Sequence, residues 1–83
     1  MKYIANPVEV DAAIIKEIGP IDESGGCWLT VGDMDYVADN GFFAIKEMLS
    51  RIVPKVGDYL VRQSDGYFYL NPKDVFERKY HAA

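Results

Sequence analysis

The chain has 83 residues, 49% of them apolar and 13% aromatic, and nine Lys and Arg against thirteen Asp and Glu leave a net charge of −4. This excludes a disordered chain, whose mark is low hydrophobicity with high charge. It also argues against nucleic-acid binding, since phosphate contact needs a basic excess and the one basic run, Lys73, Arg78 and Lys79, is interleaved with Asp74 and Glu77.

Cys27 is the single cysteine, which excludes an intramolecular disulfide and fits a reducing interior. The start of the chain has no apolar core of the kind a leader carries, and no apolar run approaches the roughly 20 residues of a bilayer span. The expectation is one soluble, cytoplasmic domain over 1–83, near the lower size limit for a self-sufficient core.

In chain order, "PVEVDAAIIKEI" (7–18) opens with alternation. Val8, Val10, Ala12 and Ile14 share one face and Glu9 and Asp11 the other, which predicts a strand with one wet face. The alternation blurs at Ile14-Ile15, where a bulge or a second buried face would account for it. "GPIDESGG" (19–26) reads as a loop. "CWLTVGDMDYVAD" (27–39) reads as a hairpin, with Trp28, Leu29 and Val31 leading in and Tyr36 and Val37 leading out.

"NGFFAIKEMLSRIVP" (40–54) changes period. Phe42, Ile45, Met48 or Leu49, and Ile52 recur at helical spacing, with Asp39 or Asn40 to cap the start and Pro54 to force an end. This predicts the one long helix. "YLVRQ", the "SDG" turn and "YFYL" predict a second hairpin in which Gly66 supplies a positive φ. Asn71 is then placed as an N-cap, Pro72 as the first helical residue, and Val75, Phe76 and Tyr80 as the apolar stripe of a two-turn helix. The sum is an α+β fold: a small antiparallel sheet of four to five strands packed on one main helix, with a short C-terminal helix.

Two stretches carry a resemblance. "MKYIANPVEVDA" and "PKVGDYLV…DGY…NPKDVFERKY" resemble the Pro-Val-acidic-Ala opening and the Gly-Asp-Tyr strand, hairpin and Phe-Glu-x-x-Tyr finish of a set of small bacteriophage-encoded proteins. The likeness covers about half the chain and leaves out Ile15 to Val53. It implies a phage or prophage origin and action in the bacterial host cytoplasm, and it carries over no catalytic residue.

Candidate chemistry is sparse. A catalytic base needs a fixed position and an orienting partner, and His81, near the C-terminus, reads as a solvated tail. Nothing beside Cys27 stabilises a thiolate, so it reads as a small buried hydrophobe. "DMDYVADNG" (33–41) is distantly similar to a calcium loop, but Val37 stands where an oxygen ligand belongs and the closing Glu is misplaced. An acidic turn is the simpler account of Asp33, Asp35 and Asp39, and solvation that of Glu9 and Asp11. No enzyme, cofactor or metal is expected.

The tyrosines are more suggestive. Tyr59, Tyr67, Tyr69 and Tyr80 gather late in the chain, where they serve either to cover a hairpin face or as an interface.

The function expected first is a non-catalytic, phage-type protein-binding module that inhibits or redirects a host protein, such as a defence or transcription component, or binds a phage protein. Its surface would comprise Trp28, Asp33, Asp35, Tyr36 and Asp39, with Tyr67 and Tyr69. The alternative is a structural or assembly protein forming homo-oligomers through its aromatic C-terminal hairpin. Neither nucleic acid nor membrane is an expected partner.

Overall fold

The structure, a computed structural model, describes residues 2–5 and 8–82, with residues 3–5, 8, 81 and 82 described by backbone alone. The elements run β1 (Lys2–Ala5), β2 (Val8–Ile18), β3 (Cys27–Val31), a single 3-10 turn (Ala38–Asn40), β4 (Gly41–Ala44), α1 (Lys46–Arg51), β5 (Tyr59–Arg62), β6 (Phe68–Asn71), α2 (Lys73–Lys79) and β7 (His81–Ala82).

β2 organises them. Asp11 stands opposite Lys2 of β1 on one edge and opposite Arg62 of β5 on the other. β5 then pairs with β6, and β1 with β7, giving a five-stranded antiparallel sheet. The far half of β2 pairs instead with β3, and β3 with β4. Between Ile15 opposite Val31 and Glu17 opposite Thr30, Lys16 is an extra residue. Such a bulge bends a strand and raises its twist, so the sheet curls into a half-barrel.

Both faces of β2 and β5 are covered. Val10, Ala12, Tyr59, Val61, Phe76 and Tyr80 form one buried cluster under α2. Ala13, Ile15, Leu60 and Leu70 join Cys27, Leu29, Val31, Met34 and Ala44 in a second, within the curl. Residues of opposite parity thus face opposite cores, and strands buried on both faces read as apolar runs rather than clean alternation. This corrects the wet face expected for β2. Asp11 is only 8% exposed, and Ile14, expected in the core, is 43% exposed. The side chain of Val8, the residue Pro7 and the ends of the chain lie outside the described residues.

The expected fold, a sheet packed on one main helix, is also corrected. Only Lys46–Arg51 is helical in the segment 40–54, and it buries none of its residues. Gly41–Ala44 is a strand, held by pairing Phe42 with Leu29 and Phe43 with Trp28. Its Phe-Phe-Ala fits either period, and the open edge of β3 decides. β4, not Tyr36-Val37, is therefore the return strand of the hairpin that begins at Cys27. Asp39 and Asn40 cap no helix: both hold positive φ in the preceding turn, and the residue before α1 is Ile45.

The last hairpin follows its sequence more closely. Gly66 has φ +93° between β5 and β6. α2 begins one residue later than expected, at Lys73, with Pro72 rather than Asn71 in the capping position. Its cap comes from elsewhere: the buried Asp58 carboxylate accepts the Lys73 amide and the Lys55 amide, each at 2.9 Å. Val75 does not join the buried stripe and is exposed. The backbone of His81 pairs with Ile4 rather than trailing free; its side chain lies outside the described residues.

Candidate functional site

The loop from Gly32 to Asn40 is fastened at several points. Met34 is buried and Val37 packs against the same cluster, so two apolar side chains anchor an otherwise polar loop. The Asp11 carboxylate accepts the Asp35 amide at 2.9 Å. The Asn40 side-chain amide donates to Asp33 at 3.2 Å. Tyr36, at φ +65°, projects outward with its ring under the Arg62 guanidinium, 4.0 Å from the centroid. Three non-glycine residues in the left-handed region cost free energy; the burial of Met34 and the Asp11 contact offset it.

The result is a fixed loop presenting Asp33, Asp35, Tyr36 and Asp39 to solvent. Tyr36 is 80% exposed and Trp28, on β3, 62%. Trp28 stands edge-on to Phe43 at 5.3 Å, so it is held without being covered. Among the described residues, no three His, Cys, Asp or Glu side chains gather to hold a metal ion.

The late tyrosines divide. Tyr59 and Tyr80 sandwich Phe76, with ring centroids 4.0 and 4.7 Å from it, and all three are buried. The Tyr59 hydroxyl donates to Glu77 at 2.7 Å, which Lys73 also contacts at 2.9 Å. These two bonds hold the Glu77 carboxyl below the ordinary glutamate range. Tyr69 is half-buried, its hydroxyl 3.5 Å from that of Tyr80; burial, and then the Tyr80 hydroxyl, push its pKa up. Only Tyr67 is exposed, its hydroxyl accepting from Arg51 at 2.7 Å.

Tyr67 and Tyr69 line a groove that sequence reasoning missed. It lies between α1 and β6, holds about 390 Å³, and has Ile45, Met48, Ile52 and Leu70 in its walls. Phe68, which also lines it, stands against Phe42 with ring centroids 4.9 Å apart. The missing signal was tertiary: reading 40–54 as one long helix hid the step from β4 to α1 that opens the groove. Cys27 is buried, and burial, reinforced by the negative charge of Asp22, pushes its thiol up. The loop set and the groove set are thus two separate surfaces, with Arg62 of β5 against the Tyr36 ring of the loop and β6 flanking the groove.

No protein-family model matches this chain, nor does any curated protein sequence. Among solved structures, the chain is similar to the monomeric form of the phage L decoration protein, determined by NMR in solution. The TM-score is 0.62 and the identity 28%, over 95% of this chain and 55% of that one. The chain therefore spans just over half the length of that protein. The likeness is consistent with a small phage protein, as the sequence resemblance implied. Among the described residues, no helix is long and apolar enough to cross a membrane.

Proposed function

We propose that this chain is a non-catalytic structural or assembly module of a bacteriophage particle, docking on a protein surface of that particle. The observation that carries this reading is the likeness to a phage decoration protein over 95% of the chain. It supports the assembly alternative more than inhibition of a host defence or transcription component. The geometry agrees with a docking role: the Gly32–Asn40 loop offers Asp33, Asp35, Asp39 and Tyr36 already ordered, so little entropy is lost when they engage, and Trp28 supplies an exposed aromatic anchor.

The test uses the phage whose genome carries the gene. Particles purified through density gradients should contain the protein at a fixed stoichiometry by mass spectrometry, and particles lacking it should bind added protein saturably. Reversing the charge of Asp33, Asp35 and Asp39 to Lys should weaken that binding and flatten its dependence on salt. Absence from purified particles, with a host protein captured instead, overturns the reading in favour of host inhibition.

A further inference from the structure

β6 is one of the open edges of the half-barrel. β6 pairs with β5 alone. The Gln63 amide donates to the Tyr67 carbonyl at 2.8 Å, making Gln63 and Tyr67 a bonded pair. Bonded and non-bonded pairs alternate along an antiparallel ladder, so Val61 and Tyr69 are the next bonded pair. Phe68 and Leu70, opposite Arg62 and Leu60, therefore turn their N–H and C=O groups away from β5. No other strand of the described residues takes them up.

That outward edge borders the groove against α1, whose far wall is Ile45, Met48 and Ile52. Strand edges are ordinarily blunted by charges or proline, yet β6 reads Phe-Tyr-Leu-Asn and carries neither. About 390 Å³ of apolar space thus lies beside two donors and two acceptors spaced by two residues.

We propose that this edge is a site of β-strand addition: an extended segment of a partner protein pairs with the main chain of Phe68 and Leu70 and lays an apolar side chain against Ile45, Met48 and Ile52. The repeat of the open groups, roughly 6.8 Å over two residues, is that of another strand. The charged side chains on the groove wall are Glu47 and Arg51, one of each sign, so the wall carries no net charge to select a charged ligand over an apolar one. A second copy is the poorer occupant. β6 has four residues, and two such edges meeting cover far less than the roughly 800 Å² per partner that stable association needs. A peptide strand needs no such area, because its main chain supplies the hydrogen bonds and the pocket its selectivity. The proposal rests on the assembly reading only for the source of the partner strand.

Selection from a displayed library of random octapeptides, with the intact protein as bait, tests the edge without the particle. Enriched peptides should alternate apolar and polar residues, and their binding should slow hydrogen exchange at the Phe68 and Leu70 amides in NMR spectra. N-methylating the peptide amides that face β6 should weaken binding roughly tenfold or more. Ile45→Lys, at a half-exposed position, should do the same while leaving the unfolding midpoint unchanged. Failure to enrich any peptide, or protection confined to other amides such as that of Phe43, overturns the proposal. So does protection of Phe68 and Leu70 that grows with protein concentration alone, which would assign the edge to a second copy. Peptide binding by a protein absent from phage particles keeps the edge and sinks the assembly reading; the converse separates them the other way.

Discussion

The two helices sit on opposite faces of one sheet and treat it differently. α2 seals its face: Phe76 is completely buried between two tyrosine rings, and the polar tips of that stack end on Glu77 and on the Tyr69 hydroxyl. α1 buries no residue of its own and leaves a groove beside β6. The difference lies in what each helix brings. α2 offers an aromatic side chain that fits between neighbours already in place, whereas α1 offers Met48 and Leu49, flexible and only partly covered. Both faces carry a core, but the α1 side also keeps an open groove beside β6 for contact.

The sharpest way to break this contrast is at its two centres. Phe76→Ala should cost about 3–5 kcal/mol in urea unfolding, enough to unfold much of a domain this size, while Phe76→Leu keeps the protein measurable at a smaller loss. Met48→Ala on the open face should cost about 1 kcal/mol. Equal losses would erase the distinction between a sealed and an open face.

Gly26→Ala tests the strands beneath α1. A Cβ there would stand 2.6 Å from the Ala44 carbonyl oxygen and 2.7 Å from the Phe43 ring. Backbone cannot yield that far without cost, so the substitution should lose about 1–3 kcal/mol, with exchange accelerated first at the β3 and β4 amides. Asp58→Ala, which strips the acceptor from the Lys55 and Lys73 amides, should cost about 1–2 kcal/mol by thermal unfolding, and Asp58→Asn less.

The smallest effect is acid dependence on the sealed face. The Glu77 carboxyl lies below its ordinary value of 4.5, so the folded state binds that proton more weakly than the unfolded chain. Its contribution is complete above that value and drains as pH falls below it. Tyr59→Phe should shrink this loss, read as the difference between the unfolding midpoints of the two proteins from pH 6 to pH 3.

The sealed face was largely legible in the sequence because its cues are local. The Ser64-Asp65-Gly66 turn sets the hairpin, and Phe76 lies on α2 with Tyr80, four residues on, at its extended C-terminal cap. Its cap was not legible, since Asp58 reaches Lys73 across an entire hairpin. The open face was misread because Phe42 fits both periods, and only pairing with Leu29 makes it a strand. On the loop, sequence picked out the exposed Asp33, Asp35 and Tyr36 but not Arg62, whose guanidinium lies over the Tyr36 ring from a distant strand. The groove depends on the same long-range pairing and left no trace in local spacing.

β2 gives this fold an awkward order of manufacture. It is made early, yet the strand that covers one of its edges, β5, is made late. While the polypeptide is still leaving the ribosome, β2 can hold β1 and β3 but not β5, so Ala13 and Ile15 wait for Leu60. Distant pairing of this kind slows the search for the native state and exposes a sticky border meanwhile. A nascent chain stalled before Tyr59 should therefore be a client for chaperones, and synthesis speed through the segment 46–62 should govern the yield of folded protein.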